Sequence, residues 1–237
     1  MLRWLEIERL EFFPSSSTPA VVIPGWGFSG EMLQHVPWLA SRVLIVQEAK
    51  SATFVEELRQ LCEAKGWQKV ALCGWSWGAR LALEFAEKHP ERVAGLALVS
   101  LRLEYPKAEI EEQKGLLLSD PQAYLTHFYR RCFVGQKELG QRWLPLLCQW
   151  HNLDNRLPDL LAGLDDLAAR IIQPTELLAA NAHLGHGQRD LIAPWKTWMP
   201  VLKRFPQLPC KLFPLAGHVP LFDADFVPWL TEVWKLR

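Results

Sequence analysis

The chain has 237 residues, a length that suits one domain with a full hydrophobic core. Its 26 basic and 26 acidic side chains give a formal net charge of zero, which argues against electrostatic binding along nucleic acid. No apolar run approaches the roughly 20 residues that span a bilayer, so we predict no membrane segment.

The N-terminus and the cysteines favour a cytoplasmic protein. Residues 1–6 lack an uninterrupted apolar stretch and a small-residue cleavage site, so we predict no signal peptide. The five cysteines are scattered and form no Cys-x-x-Cys pair, so neither a zinc site nor a disulfide framework is indicated. This usage fits a reducing compartment. We therefore expect a cytoplasmic monomer with no metal and no cofactor.

Short apolar runs alternate with longer periodic segments, which is the pattern of a mostly parallel sheet with helices on both faces. The first run alternates enough to be an antiparallel strand, and the last is almost wholly apolar, as expected of a strand covered on both faces. In chain order we predict strands over Leu5–Phe13, Ala20–Ile23, Arg42–Val46, Lys69–Cys73 and Val93–Val99, with helices over Ala52–Lys65 and Ala79–Lys88.

A helical segment then interrupts the alternation. From about Tyr105 to Ala180 the chain is amphipathic and rich in Leu, Arg and Trp, without a convincing buried strand. We predict that residues 105–180 form a helical cap, inserted within a single domain that spans residues 1–237. The alternation returns with a strand near Leu184, a helix over Trp195–Arg204, a strand over Lys211–Leu215 and a final helix over Asp225–Leu236.

A strand-to-helix junction carries the sharpest motif, Gly74-Trp75-Ser76-Trp77-Gly78. A serine on such a turn needs strained backbone angles, and small residues two before and two after it let the chains pass closely. The turn lifts the hydroxyl clear of the sheet and places the Trp77 N–H at the start of a helix, where it can face a developing oxyanion. A plain glycine-rich turn would share the pentapeptide, but the context predicts that Ser76 is a nucleophile and Trp77 an oxyanion donor.

A serine hydroxyl needs a base, usually a histidine that a carboxylate orients. For a nucleophile on this kind of turn, the acid comes next along the chain and the histidine last. His218 lies just after the last predicted strand, and Asp190 follows the penultimate one, so both loops should reach the sheet edge that carries Ser76. We predict a catalytic triad of Ser76, Asp190 and His218.

Other acids and histidines have plainer interpretations. A turn or helix-capping role would also account for Asp190. Three further aspartates are reserve candidates for the acid, although each fits capping better: Asp165, Asp166 and Asp223. Four histidines are interpreted as surface or core residues: His35, His89, His127 and His151.

The second oxyanion donor should come from residues 24–29, the PGWGFS loop that follows the Ala20–Ile23 strand. Its glycines would let the backbone turn an N–H toward the serine. We predict that Trp26 is this donor. A glycine-rich turn without a catalytic role is the alternative.

Together these residues resemble the α/β-hydrolase family, and the similarity covers most of the chain outside the cap. Ala79–Ser100 looks like the helix and strand that usually follow the nucleophile in the family. Residues 25–28 (GWGF) and 74–78 (GWSWG) most resemble the pimeloyl-[acyl-carrier protein] methyl ester esterases of biotin biosynthesis. That resemblance implies an α/β-hydrolase fold, backbone donors at Trp26 and Trp77, and cap arginines that hold the carrier protein.

Two departures from the family pattern stand out. Many members have histidine before the glycine of the oxyanion loop, whereas this chain has Pro24. That histidine is structural, so hydrolysis does not depend on it. Residues 47–51 (QEAKS) lack the Asp- and Gly-rich loop that is common at this point, which suggests a compact member.

The predicted cap contains arginines whose guanidinium groups suit a phosphate or the carboxylates of a carrier protein. Arg130, Arg131 and Arg142 are our candidates for substrate or carrier binding, and Arg156 and Arg170 belong to the same segment. Solvated helix faces are the plain alternative for each of them.

Our leading hypothesis is a serine carboxylic ester hydrolase that works through an acyl-enzyme on pimeloyl-acyl-carrier-protein methyl ester. The substrate would be a small acyl ester, either free or attached to acyl carrier protein. We expect no nucleic acid or membrane partner. One alternative keeps the same triad scaffold for a lyase of menaquinone synthesis. Others are a general small-ester or thioester hydrolase and a non-catalytic binding protein; the intact Ser, Asp and His argue against the last.

Overall fold

A computed structural model describes residues 3–8, 18–37, 42–149 and 153–234 of the chain. Within these residues one sheet has the strand order β1-β3-β2-β4-β5-β6-β7, in which β1 is antiparallel to β3 and every other neighbouring pair is parallel. The strands are β1 (Arg3–Glu8), β2 (Ala20–Ile23), β3 (Arg42–Glu48), β4 (Val70–Trp75), β5 (Val93–Val99), β6 (Ala182–Gly187) and β7 (Cys210–Phe213).

Helices cover both faces of the sheet and the segment between β5 and β6. Short 3₁₀ helices span Met32–His35, Pro90–Arg92, Trp195–Thr197 and Pro220–Phe222. The α-helices are α1 (Ser51–Ala64), α2 (Trp77–Lys88), α3 (Lys107–Ser119), α4 (Pro121–Cys132), α5 (Lys137–Gln149), α6 (Leu153–Ala168), α7 (Pro174–Ala179), α8 (Met199–Arg204) and α9 (Phe226–Trp234).

Alternating residues of the central strands feed two hydrophobic cores. Val21 and Ile23 of β2 pack with α1 and α2, while Ala20 and Val22 point to the opposite face and pack with α9 and the helices between β5 and β6. Because successive side chains of a strand point to opposite faces, an unbroken apolar run is what a doubly covered parallel strand requires. The structure therefore has the α/β-hydrolase fold that the sequence predicts.

Helices α3 to α6 lie within residues 105–180, which were predicted as an inserted cap, and we call these four helices the cap. Within it α3 packs on α4 and α6, and α4 packs on α5 and α6. The break between α3 and α4 follows from sequence: the Asp120 carboxylate accepts a hydrogen bond from the Ala123 N–H at 2.9 Å, and Pro121 begins the new helix. The cap joins the same core as α9, so it is packed onto the sheet domain.

Prolines explain the two clearest differences from the predicted elements. The predicted strand through Leu215 ends at Phe213, because Pro214 has no N–H to continue the ladder. The predicted helix over Trp195–Arg204 is divided into a 3₁₀ turn and α8, whose first turn contains Pro200.

Most other elements lie where they were predicted. The Val93–Val99 strand is confirmed with its bounds, and α9 begins at Phe226, one residue later than predicted. The first strand is confirmed as antiparallel over Arg3–Glu8, and the rest of its predicted range lies outside the described residues. No described helix is long and apolar enough to cross a bilayer.

The buried face of α2 generates a stability prediction. Phe85 on this helix is fully buried, so Phe85→Ala should lower the free energy of unfolding by about 3–5 kcal/mol through lost burial and a residual cavity. Urea unfolding measures it. Leu118→Ala, at a helix position that is 57% exposed, is the control and should change the free energy by less than about 0.5 kcal/mol. Equal losses in both variants would contradict the core assignment of α2.

Candidate active site

Ser76 occupies the sharp turn between β4 and α2 with φ 57° and ψ −114°. A non-glycine residue at positive φ is strained, and such strain persists only where surrounding contacts hold it. Here the Ser76 N–H donates to the Val99 carbonyl at 2.8 Å, and the Ser76 carbonyl accepts from the Ala79 N–H at 3.0 Å. The helix consequently starts directly after the serine, two residues earlier than predicted.

The glycines of the motif are needed for close packing around this turn. A Cβ on Gly74 would lie 2.3 Å from the Gly78 carbonyl oxygen, and one on Gly78 would lie 2.4 Å from the carbonyl oxygen of Ile23. No side chain fits at these distances without moving the backbone. The predicted close passage of the chains two residues before and after Ser76 is confirmed.

The structure brings together the three residues predicted as a triad. The Ser76 Oγ lies 2.9 Å from His218 Nε2, and His218 Nδ1 lies 2.8 Å from Asp190 Oδ2. The three side chains come from the loops after β4, β6 and β7, so they meet at the carboxyl edge of the parallel sheet. His218 and Asp190 are buried, and Ser76 keeps 7% of its surface exposed. This chain of hydrogen bonds can transfer a proton from the hydroxyl to the imidazole.

Asp190 combines the two roles that its position suggests. Its Oδ1 accepts hydrogen bonds from the N–H groups of Ile192 and Ala193, both at 2.8 Å, while Oδ2 faces His218. Burial opposes ionisation of this carboxyl, but the charge and hydrogen bond of His218 outweigh burial and lower its pKa. The turn therefore holds an ionised carboxylate against the imidazole.

Indole and hydroxyl groups hold the backbone of His218. Its carbonyl oxygen accepts from Trp75 Nε1 at 2.7 Å and from the Ser100 hydroxyl at 3.1 Å. The Trp75 ring also packs on Phe28 at 4.5 Å between centroids. Trp75, directly before Ser76, thus connects the serine turn, the histidine and the loop of residues 24–29.

The loop of residues 24–29 lies beside the serine. A Cβ on Gly25 would be 3.2 Å from the Ser76 Cβ, and Trp26 follows directly in the same turn. The Trp26 indole points into the cap, donating to the Leu160 carbonyl at 2.8 Å and meeting Phe128 edge-on at 5.0 Å. Both predicted oxyanion donors, Trp26 and Trp77, thus belong to segments that adjoin Ser76.

A second cap contact fixes the same loop. The Tyr129 hydroxyl of α4 donates to the Gly27 carbonyl at 2.6 Å, and Tyr129 is fully buried. The loop of residues 24–29 is therefore attached to α4 through this hydroxyl and to α6 through the Trp26 indole. No local sequence pattern indicated either contact.

His186 on β6 is a buried residue to which the sequence analysis gave no role. Its Nε2 lies 2.6 Å from the Ala193 carbonyl oxygen and 3.8 Å from Asp190 Oδ2. Burial lowers the pKa of His186, against the opposing influence of Asp190. The imidazole is therefore a neutral donor that supports the turn carrying Asp190. The sequence feature that could have indicated this role is the position of His186 four residues before Asp190.

The reserve aspartates have other partners in the structure. Asp165 pairs with Lys114 at 2.7 Å, and the Asp223 carboxylate accepts from the Asp225 N–H at 3.0 Å ahead of α9. Asp166 is hydrogen-bonded to the Trp77 side chain. Asp223 thus has the kind of capping contact that the sequence favoured. The capping interpretation does not hold for Asp165, which forms an ion pair, or for Asp166, which bonds to the Ser51 and Trp77 side chains.

Three of the four histidines that were interpreted as surface or core residues make no contact with the triad. His35 packs on Trp143, His89 packs on Phe85, and His127 is exposed on α4. His151 lies outside the described residues.

The cap arginines differ in what they contact. Arg130 is exposed in the last turn of α4, and Arg142 is exposed on α5, with its guanidinium 5.3 Å from the Trp143 ring centre. Arg131 donates to the Leu191 carbonyl at 2.8 Å, next to Asp190. Arg170 is engaged elsewhere, since it pairs with Glu87 of α2 at 2.7 Å.

Histidine, cysteine and acidic side chains are the groups that most often bind metal ions in proteins. In residues 3–8, 18–37, 42–149 and 153–234, no group of three or more is placed to hold a metal ion. Four cysteines of this part of the chain are free thiols: Cys62, Cys73, Cys132 and Cys210.

The fold and the site define a class of α/β protein in which a strained serine follows a central strand and meets a histidine and an aspartate from later strand ends. A family model described as the alpha/beta hydrolase fold matches residues 24–173. The chain belongs to this family. A search of curated protein sequences finds no match.

Solved structures show the same fold along nearly the whole chain. An esterase from Exiguobacterium antarcticum is 16% identical with a TM-score of 0.79, covering 99% of this chain and 95% of its own. A bromoperoxidase from Bacillus anthracis is 18% identical with a TM-score of 0.77 and the same two coverages, 99% and 95%. A thermophilic esterase from Thermogutta terrifontis is 19% identical with a TM-score of 0.75, covering 98% and 93%. At these identities the likeness shows the fold alone.

The neutral His186 generates a pH prediction. Its folded pKa lies below the ordinary value of 6.5, so the unfolded chain binds a proton that the folded protein excludes. The free energy of unfolding should therefore fall as the pH drops below about 6.5, with a contribution from His186 of at most ~1.4 kcal/mol per pH unit. His186→Gln should remove this part of the slope in urea unfolding between pH 7 and pH 5.

His127→Gln, at an exposed position on α4, is the control for this series. Asp190 does not affect the comparison between pH 7 and pH 5. The stability that its lowered pKa contributes is lost only as the pH falls below the ordinary value of 3.8. A His186→Gln variant with the full wild-type slope would contradict the neutral assignment of His186.

Proposed function

We propose that the protein is a serine carboxylic ester hydrolase with Ser76 as nucleophile, His218 as general base and acid, and Asp190 as the residue that orients the imidazole. The observation that carries the proposal is the hydrogen-bonded series Ser76 Oγ, His218 Nε2, His218 Nδ1 and Asp190 Oδ2, with links of 2.9 and 2.8 Å. The strained turn at Ser76 adds support, because such strain is characteristic of functional sites.

In the first half-reaction the Ser76 oxygen bonds to the ester carbonyl carbon while its proton passes to His218 Nε2. The carbonyl oxygen becomes an oxyanion, for which the backbone N–H groups of Trp26 and Trp77 are the proposed donors. Collapse breaks the bond to the alcohol oxygen, and His218 returns its proton to that leaving group. Asp190 stabilises the imidazolium that exists between these two proton transfers.

In the second half-reaction water replaces the alcohol. His218 takes a proton from water as the water oxygen bonds to the acyl carbon, and the second tetrahedral species again places its charge on the oxyanion donors. Its collapse breaks the acyl bond to Ser76, and the proton on His218 returns to the serine oxygen. The products are a carboxylic acid and an alcohol, and no other reactant is needed.

The surroundings of Ser76 favour an acyl chain as substrate. The contact between α4 and the loop of residues 24–29, which lies beside Ser76, is aromatic: Trp26 and Phe28 from the loop meet Tyr124 and Phe128 from α4, with ring centres 5.0 to 6.3 Å apart. Aromatic and aliphatic walls are typical of pockets that bind apolar chains. The esterases among the similar structures agree with this substrate class.

Pimeloyl-acyl-carrier-protein methyl ester is the particular substrate that we propose, on the basis of the resemblance of residues 25–28 and 74–78. Arg130 and Arg142 are exposed on the cap, where a carrier protein with an acidic surface would approach. Arg131 is a weaker candidate for direct contact, because its guanidinium already binds the Leu191 carbonyl.

Replacement of the nucleophile tests the reaction class. Ser76→Ala should lower kcat/KM for p-nitrophenyl acetate by at least about 10⁴-fold, because the acyl-enzyme can no longer form. The wild-type protein should also be labelled by a fluorophosphonate probe, with its phosphorus bonded to the Ser76 oxygen and fluoride released.

Circular dichroism and the melting temperature should show that Ser76→Ala is folded. Hydrolysis that survives in this variant would contradict the proposal. Wild-type protein that forms no acyl-enzyme but eliminates a leaving group from a succinyl-cyclohexene substrate would indicate the lyase instead.

Charge reversal on the cap tests carrier recognition. Arg130→Glu and Arg142→Glu together should lower kcat/KM for the carrier-bound pimeloyl methyl ester by about 10-fold or more, while the rate on free dimethyl pimelate stays within about 2-fold. The control is Lys203→Glu together with Arg204→Glu, an equal charge reversal at two exposed positions of α8. Equal rates of variant and control on the carrier-bound ester would contradict carrier docking on this face.

A genetic experiment tests the proposed pathway directly. The chain should restore growth without biotin to a bacterial strain that lacks its pimeloyl esterase, and Ser76→Ala should not. Absence of growth with an active esterase in the extract would leave a general small-ester or thioester hydrolase as the function.

A further inference from the structure

The turn between α4 and α5 packs directly on the loop that carries the histidine. We call residues 132–136 the cap turn and residues 215–219 the histidine loop. A Cβ on Gly217 would lie 2.7 Å from the Cys132 carbonyl oxygen, so the two backbones touch at this point. The His218 N–H donates to that same carbonyl at 2.8 Å. The backbone of the proposed base therefore depends on the cap for its hydrogen bond.

Gln136 adds two hydrogen bonds, one on each side of the histidine. Its Oε1 accepts from the Gly217 N–H at 3.1 Å, and its Nε2 donates to the Val219 carbonyl at 2.9 Å. A carboxamide accepts through its oxygen and donates through its nitrogen, so one side chain can make both bonds at once. The Gln136 backbone is itself fixed, because its N–H donates to the Phe133 carbonyl at 2.9 Å.

These contacts leave the histidine loop little freedom to rotate. The sheet domain holds the His218 carbonyl through Trp75 and Ser100, and the cap turn holds the His218 N–H and the two flanking peptide groups. Rotation of the peptides around His218 would break bonds on both sides at once. Since the imidazole bridges two partners at 2.9 and 2.8 Å, small rotations of its backbone would disturb both links.

We infer that Gln136, although it belongs to the cap, is a positioning residue that fixes His218 between Ser76 and Asp190. The inference rests on the proposed serine hydrolase function, because it assigns Gln136 its effect through the base of that reaction. The side chain touches peptide groups of the histidine loop and not the reacting atoms. Misplacement of a catalytic group by about 1 Å can cost about 10²-fold in rate, so the two bonds have a measurable consequence.

Neither Cys132 of the cap turn nor Arg131 just before it takes this role. Cys132 is fully buried, burial raises the pKa of its thiol, and its contact with His218 is made by the backbone carbonyl, which any residue would supply. Arg131 is exposed and reaches the Leu191 carbonyl in the loop of the acid. Gln136 is the residue whose side chain holds both peptide groups that flank the base.

Two substitutions separate positioning from simple packing. Gln136→Met keeps the size of the side chain and removes both hydrogen bonds. With p-nitrophenyl acetate it should lower kcat by about 10- to 100-fold, leave KM within about 2-fold, and slow fluorophosphonate labelling of Ser76 by a similar factor. The matched control is Gln113→Met, because the Gln113 amide also makes two cap hydrogen bonds, to Tyr124 and Glu109, away from the histidine loop. The control should keep the wild-type kcat.

Gln136→Glu provides a pH signature that a packing role would not produce. The ionised carboxylate keeps the acceptor for the Gly217 N–H but repels the Val219 carbonyl, whereas the protonated carboxyl can donate to it. The ratio of variant to wild-type kcat, taken at equal pH, should therefore rise as the pH falls from 8 to 5.

The outcomes distinguish this inference from the function on which it rests. Wild-type protein that neither hydrolyses the ester nor is labelled contradicts the proposed function, and the inference with it. An active wild type with a Gln136→Met kcat within about 2-fold of the control overturns the inference alone. Should Gln136→Met fail to fold, the Gln136→Glu ratio decides: a rise toward pH 5 supports positioning, and a flat ratio overturns it.

Discussion

Ser76 holds a backbone conformation, φ 57°, that side chains disfavour, and the sheet supplies the contacts that maintain it. The Val99 carbonyl of the neighbouring strand receives its N–H, and α2 begins at once on its other side. This constraint places the hydroxyl above the carboxyl edge of the sheet, where the loops after later strands converge. His218 and Asp190 can form a hydrogen-bonded series with Ser76 only because this turn holds the hydroxyl in one place.

Burial and hydrogen bonding set the charge states of the titratable groups around that turn. Asp190 is 3% exposed and stays ionised because its oxygens accept from two backbone N–H groups and from His218. His186, beside it, stays neutral because burial disfavours its charged form. Two titratable groups four residues apart thus differ in charge, one neutral and one negative. The difference is set by the hydrogen-bond partners of each group in a region with little water. The serine site contains one permanent negative charge where the proposed imidazolium forms.

Local patterns in the sequence predicted the fold class and the three residues that meet at the sheet edge. They also predicted the order of these residues along the chain, serine first, then the acid, then the histidine, each after a strand. They did so because a strand-to-helix turn and the loops after strands are determined by neighbouring residues. The predicted elements continued through Pro214 and Pro200 because the apolar pattern continues there. In the structure these single prolines end one strand and divide one helix. The bonds of Gln136 to the histidine loop cross more than 80 positions of sequence and repeat no pattern, so only the folded chain reveals them. The role of the cap as a support for the base could not be predicted for this reason.

The loop of residues 24–29 is attached to the helical insertion by two hydrogen bonds, from the Tyr129 hydroxyl to the Gly27 carbonyl and from the Trp26 indole to the Leu160 carbonyl. Insertions of this kind are often treated as exchangeable parts that alter specificity while the chemistry stays with the sheet. Here an exchange by recombination would remove a tyrosine and a helix carbonyl on which the loop beside the serine depends. A transplanted cap would have to bring equivalent groups at the same two places, which narrows the set of caps that this sheet domain can inherit.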